Sequence, residues 1–167
     1  MSFSIYDVSV PVFTASLTSL SKFLAKGAAH IEAKGFQPEG FLQARLAPDM
    51  HPLPRQIQMA SDGAKGAAAR LAGVEIPSMP DTETTFAELQ ARIEKTLAFL
   101  KGLDRAAFEG ADAKEIVMKV GPNEWKMTGQ QFLTTFALPN FFFHVTTAYA
   151  LLRHNGVEIG KRDFLGG

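Results

Sequence analysis

Four stretches of the chain carry apolar residues at helical positions, and in the first three the three- and four-residue spacing is that of a helix that buries one face. They cover residues 4–34, 51–71, 85–103 and 128–154. Glu and Lys fill the other side of the third stretch, which is typical of a solvated face. We therefore predict four long helices that pack against one another.

Local signals mark where these helices begin and end. Residues 85–88 and 128–131 have the spacing of a capping box, in which a helix-start side chain and backbone bond each other reciprocally. Gly35 follows the first stretch, and the His-Asn-Gly sequence at 154–156 closes the last. Both glycines are expected to end their helices in the left-handed conformation.

The spacing of apolar positions changes before the last helix. Residues 115–120 and 125–127 are predicted to be short strands joined by a turn at 121–124. A lone hairpin is marginally stable in water, so this one must pack on the helices. The predicted fold is all-α, a four-helix bundle with a small β-hairpin before the last helix, in a single domain spanning 1–167.

The remaining segments are also expected to be ordered. Prolines and a glycine break residues 36–50 into a loop with one short helical turn, and Asp49 is predicted to cap the second long helix. The tail at 157–167 is predicted to pack back on the helices through four apolar residues, Val157, Ile159, Phe164 and Leu165.

The last helix is apolar on every side, which predicts that it lies inside the bundle. Pro139 lacks the N–H that the Thr135 carbonyl would accept, so we expect a kink or break there. Asn140 and His144 interrupt the apolar run and lie one turn apart on one face. An unpaired buried polar group costs ~1–3 kcal/mol, so a side chain, a water, a metal or a ligand must satisfy both.

The candidate ligand-binding residues are Gln56, Asn140, His144 and Tyr149, with His144 as the candidate metal ligand. Gln56 either faces inward, or it faces solvent or bonds to the backbone. His144 is either a core imidazole that forms hydrogen bonds across the bundle or a pocket ligand and proton-transfer group.

The composition excludes several kinds of partner and of chemical site. The 17 Lys and Arg equal the 17 Asp and Glu, so neither a nucleic acid nor a membrane surface is an expected partner. Without cysteine, the chain has no disulfide, thiolate ligand or cysteine nucleophile. The first residues lack the basic and apolar regions of a signal peptide, and we predict a cytoplasmic protein.

Several motifs together resemble the uncharacterised DinB-like proteins, a domain-of-unknown-function branch of the DinB/YfiT-like superfamily. They are RLAPDM at 45–50 followed by Gln56, PNFFFH at 139–144, YALLRHNG at 149–156 and GKRDFLG at 160–166. The resemblance covers nearly the whole chain. It implies a four-helix bundle, a homodimer and a pocket at one end of the bundle.

Many relatives in that superfamily look like metalloenzymes, with one histidine from the second helix and two, four residues apart, from the fourth. Some are thiol-dependent transferases. The resemblance therefore implies Zn or Ni as a cofactor. The corresponding positions here are the Gln56 region, His144, and either Asn140 or Ala148, so this chain keeps one clear histidine of the three.

Two functions follow from these observations. The first is a pocket protein that binds a small molecule or a divalent metal between the second and fourth helices. If it is catalytic, His144 would act as a general base or as the sole imidazole ligand. The alternative is a non-catalytic structural or interaction protein that dimerises through the bundle. The sequence leaves open which applies, and whether the protein is an enzyme.

Overall fold

Helices make up most of the chain. A computed structural model describes residues 4–167. In chain order the elements are α1 (Val10–Lys34), α2 (Pro38–Leu42), α3 (Leu53–Ala72), α4 (Phe86–Lys101), a 3₁₀ turn (Arg105–Phe108), β1 (Glu115–Val120), β2 (Asn123–Thr128), α5 (Gly129–Gln131), a π-helical segment (Phe132–Ala137), α6 (Leu138–His154) and α7 (Lys161–Phe164). The predicted domain also includes residues 1–3, which lie outside the described part.

The four predicted long helices are present as α1, α3, α4 and α6. Helix α3 packs on α4 and α6, and α1 packs on the same two helices, so all four surround one apolar core. Edge-on contact of the Phe13 and Phe141 rings, with centroids 5.0 Å apart, joins α1 to α6 inside it. The short helical turn predicted within residues 36–50 is present as α2, whereas α5 and α7 were not predicted as separate helices.

Both predicted capping boxes are confirmed. The Thr85 hydroxyl accepts a hydrogen bond from the Glu88 backbone N–H at 3.2 Å, and the Glu88 carboxylate accepts one from the Thr85 N–H at 3.0 Å. Thr128 and Gln131 form the same reciprocal pair before α5. These bonds satisfy N–H groups that the first helical turn leaves without partners.

Other helix boundaries match the predictions less evenly. Gly35 and Gly156 adopt the left-handed conformation, with φ of 64° and 89°, and end α1 and α6 as expected. The first helix begins at Val10 rather than at residue 4. The prediction that Asp49 caps the second long helix is wrong, because α3 starts at Leu53 and Pro52 occupies its N-cap position without a side-chain bond.

The distortion predicted at Pro139 takes the form of a π-helical segment at 132–137, immediately before α6. Because the wider turn shifts the backbone pairing, the helix runs from α5 into α6 without a break. The hydroxyls of Thr134 and Thr135 donate to the carbonyls of Gln130 and Gln131 in this stretch. The segment therefore accommodates a proline inside a continuous helical path.

The hairpin is confirmed, with Glu115 paired to Thr128 at one end of the register. Ile116 is buried and Met118 is half-buried, which turns this face of β1 toward the helices. On β2 the Trp125 ring meets the edge of Phe136 in the π-helical segment, with centroids 6.2 Å apart. The hairpin thus packs against the π-helical segment that precedes α6, as expected because a lone two-stranded hairpin is marginally stable.

The tail packs back through Val157 and Ile159, which are buried, and through Phe164, whose ring meets the edge of Tyr149. The prediction for Leu165 is wrong, because its side chain is 70% exposed beyond the last short helix. Within residues 4–167, we find no helix whose length and hydropathy would let it cross a membrane.

Candidate functional site

A cavity of about 270 Å³ lies between α3 and α6 and is closed on one side by β1 and the π-helical segment. Its apolar wall includes Met59, Met118, Phe132, Phe136 and Ala137. Its polar groups are Arg55, Asp62, Arg70, Asn140 and His144. The π-helical turn brings three of the apolar side chains to the cavity.

His144 is held at this cavity by a hydrogen-bond relay. Its side chain is buried, and its Nδ1 lies 2.8 Å from Oε1 of the equally buried Gln56. The Gln56 Nε2 donates in turn to the carbonyl of His51 at 3.0 Å. Because this contact fixes the amide with its oxygen toward the imidazole, Nδ1 must carry the proton and donate.

The environment keeps this imidazole neutral. Burial lowers the pKa of His144 below its ordinary value of 6.5, and electrostatic repulsion from the nearby His51 and Arg55 lowers it further. With the proton on Nδ1, Nε2 carries the lone pair. Within residues 4–167 that nitrogen has no hydrogen-bond partner, and it is not among the polar atoms sealed from solvent.

Asn140 lines the same cavity one turn before His144, as their spacing predicted. Gly63 of α3 lies opposite, and a methyl group added there would come within 3.6 Å of Asn140 Nδ2. Gln56 does not line the cavity; it holds His144 through the hydrogen bond to Nδ1. The sequence-predicted residues Gln56, Asn140 and His144 are therefore brought together.

Tyr149 does not join them. Its ring packs edge-on against Phe23 of α1 and Phe164 of α7, with centroids 5.9 and 5.8 Å away. The residue lies five positions after His144, about 140° around the helix, and so points to another side of α6. The expectation that Tyr149 lines the site is corrected on this geometry.

A buried ion network lies behind the cavity, and the sequence pattern did not predict it. The Arg92 side chain on α4 is 1% exposed, and it binds Asp62, Asp81 and Glu83 with N–O distances of 2.7 to 3.0 Å. Arg92 also donates to the carbonyl of Pro80. A signal was present, since Arg92 lies three residues after the core residue Leu89, on the apolar stripe of α4.

Two further cations complete this network, which we call the Arg92 network. Lys65 pairs with Asp62 at 2.9 Å, and Arg55 pairs with Asp81. Burial alone would raise the pKa of Glu83, but the hydrogen bonds from Arg92 lower it overall. The network links α3, α4 and the segment between them, and it fixes Arg55 and Asp62 at the cavity wall.

The donor set does not fit the metal centre that the family resemblance implies. Among residues 4–167, no three His, Cys, Asp or Glu side chains are grouped so as to hold a metal ion. Asp62, the carboxylate of the cavity wall, is already neutralised by Arg92 and Lys65. One imidazole and the amide of Asn140 fall short of the three or four strong donors that Zn²⁺ takes in proteins.

Comparisons with known proteins agree with the fold and with the sequence motifs. The family model described as "Domain of unknown function (DUF1993)" matches residues 5–165. The chain shares 41% sequence identity with a DinB family member protein from Shewanella denitrificans, whose crystal structure was determined at 1.83 Å resolution. The match covers 98% of this chain and 92% of that one, with a TM-score of 0.92. No curated protein matches. The chain therefore belongs to the DUF1993 family, and it is a DinB-like protein.

Proposed function

We propose that the protein binds a small organic molecule in the cavity between α3 and α6, with His144 as the group that recognises it. The scaffold is a four-helix bundle of α1, α3, α4 and α6 that presents α3 and α6 to one another. Of the two ligands considered for this pocket, we favour a small molecule over a metal ion, because the donors at the cavity do not suit a metal.

One observation carries the proposal. His144 is neutral, its Nδ1 is held by Gln56, and within residues 4–167 its Nε2 bonds no other protein group at the cavity. A neutral imidazole with a fixed tautomer is an acceptor for a ligand O–H or N–H, or a base for its proton. Because Nε2 is not sealed from solvent, its lone pair can accept from water or from a ligand that enters the cavity.

The cavity itself supports the same conclusion. Its volume of about 270 Å³ lies just below the ~300–1,000 Å³ typical of small-molecule sites. Its walls combine apolar side chains with a few convergent polar groups, the composition expected where polar contacts orient a ligand. The occupant would therefore be a small metabolite-sized molecule.

A fragment screen tests the proposal by protein NMR, with the His144 ring resonances as the reporter. The informative variant is Gly63→Ala, because the added methyl enters the cavity at ordinary contact distances from Asn140 and Phe141. Replacing a glycine inside a helix should also add up to about 1 kcal/mol of stability. We expect fragment binding to weaken severalfold while the variant stays folded.

The matched control is Gly40→Ala, where an added methyl would meet no atom within 4 Å. Fragment binding should be unchanged in this variant. Fragments that bind both variants like the wild type, or that leave the His144 resonances unmoved, would overturn the proposal. Stoichiometric Zn or Ni after native purification, lost on His144→Ala, would favour the metal form instead.

A structural role through dimerisation is the second candidate. Large apolar side chains favour it, since Trp125 is 45% exposed and Phe143, next to His144, is 55% exposed. Light scattering coupled to size exclusion distinguishes a dimer from a monomer. A dimer that dissociates on Phe143→Ser, combined with no fragment binding, would support this function over the pocket.

A further inference from the structure

We propose that the cavity ligand is an elongated monocarboxylate, with its carboxylate on Arg70 and a polar group at its far end on His144. This inference rests on the proposed function, since it names the class of molecule that the same cavity takes. It starts from the charges around the cavity.

The Arg92 network is electrically balanced. Its cations Arg55, Lys65 and Arg92 face the anions Asp62, Asp81 and Glu83 through direct ion pairs, three charges against three. The charged residues of the network that reach the cavity, Arg55 and Asp62, therefore have their counter-charges already. His144 adds no charge, because it is neutral.

Arg70 is the remaining charged group of the cavity wall. Within residues 4–167 it forms no ion pair, and its one hydrogen bond runs from Nη1 to the carbonyl of Gly66 at 3.0 Å. A guanidinium has five N–H donors, so most of those on Arg70 remain for a ligand. Burial lowers the pKa of Arg70, which means that a bound anion would relieve an unfavourable charge.

A single uncompensated cation suits a single negative charge. A carboxylate matches the planar guanidinium with two parallel hydrogen bonds and leaves the cavity neutral. A dianionic phosphate would leave one negative charge uncompensated on the same wall as Asp62, which is costly in a partly desolvated site. The balance of charge therefore favours a carboxylate over a phosphate.

The two ends of the cavity set the length of the ligand. The Arg70 guanidinium lies level with Gly66 on α3, while His144 lies level with Gln56. These α3 positions are ten residues apart, or about 15 Å along the axis. The wall between them is mostly apolar, with Asp62 and Asn140 as its polar groups, which fits a hydrocarbon or aromatic body with polar ends.

The experiment measures binding of para-hydroxyphenylpropionate, its primary amide and its phosphonate analogue by calorimetry and by NMR at His144. Wild type is compared with Arg70→Gln, with the charge-conserving Arg70→Lys, and with Arg162→Gln on exposed α7 as the control. The acid should bind wild type at least about tenfold more tightly than the amide. Arg70→Gln should abolish this preference, Arg70→Lys should keep part of it, and Arg162→Gln should keep all of it.

The contrary outcomes separate this inference from the proposed function. Equal binding of acid and amide at His144, or a preference that survives Arg70→Gln, would overturn the carboxylate assignment and leave the pocket proposal standing. Tighter binding of the phosphonate than of the acid would also overturn it, in favour of a dianion. If none of the three compounds shifts the His144 resonances of folded wild-type protein, the inference fails, while the fragment screen with Gly63→Ala decides the proposed function separately.

Discussion

Replacing Arg92 with methionine should destabilise the protein far more than the same replacement at Arg105. Both arginines pair with carboxylates, and methionine keeps much of the side-chain length. They differ in burial, because the Arg92 side chain is 1% exposed and that of Arg105 is 59% exposed. The comparison therefore sets a buried arginine with three carboxylate partners against an exposed arginine with one.

The magnitude follows from what the lost cation leaves behind. Removing one partner of a buried ion pair costs about 3–5 kcal/mol, because the remaining charge stays desolvated. Asp62 and Asp81 are 39% and 35% exposed and can be hydrated in the variant, whereas Glu83 is 12% exposed and cannot. We therefore expect a loss of about 3 kcal/mol, at the lower end of that range.

Urea denaturation at neutral pH measures the free energy of unfolding of both variants. Arg105→Met should change it little, since exposed ion pairs contribute little to stability. The Arg92→Met deficit should also shrink in acid. The pKa of Glu83 is lowered from 4.5 in the folded protein, so its pairing stabilises above that value and is lost as pH falls through the lowered pKa. Similar small losses in the two variants, or a deficit independent of acid pH, would refute the reasoning.

Two further predictions concern the N-terminal turn and the start of α5. Hydrogen bonds from Arg105 lower the pKa of Asp7 to about 2, so Arg105→Met should raise it toward 3.8 in an NMR titration; an unchanged value would exclude Arg105 as the cause. Gly129→Ala should destabilise strongly in urea, because the new methyl would clash with the backbone oxygen of Ala111. Gly40→Ala, with open space around it, is the control, and equal stability of the two variants would contradict the close approach.

The helices could be predicted because their signals are local. Apolar spacing depends on a few neighbouring residues, and the capping box at 85–88 is complete within one turn. The π-helical segment shows the limit of such signals. Pro139 predicted a distortion, but its form depends on how the helix packs on α3 and the hairpin.

The candidate site could be predicted only in part. Asn140 and His144 were found because their four-residue spacing on one helix places them on one face. The pairing of His144 with Gln56 joins residues 88 apart, and no local pattern specifies it. Tyr149 was misplaced because proximity along the helix says little about direction around it. The Arg92 network was missed because its carboxylates come from α3 and an irregular segment, which only tertiary structure brings to α4.

The tautomer of His144 tests the central claim most directly. Long-range ¹H–¹⁵N NMR of the imidazole distinguishes a protonated Nδ1 from a protonated Nε2 and reports the charge of the ring. We expect a neutral ring at neutral pH with the proton on Nδ1, shifting toward the other tautomer on Gln56→Leu, because that variant removes the oxygen that Nδ1 donates to. A charged imidazolium at neutral pH, or a proton on Nε2 in the wild type, would contradict the account.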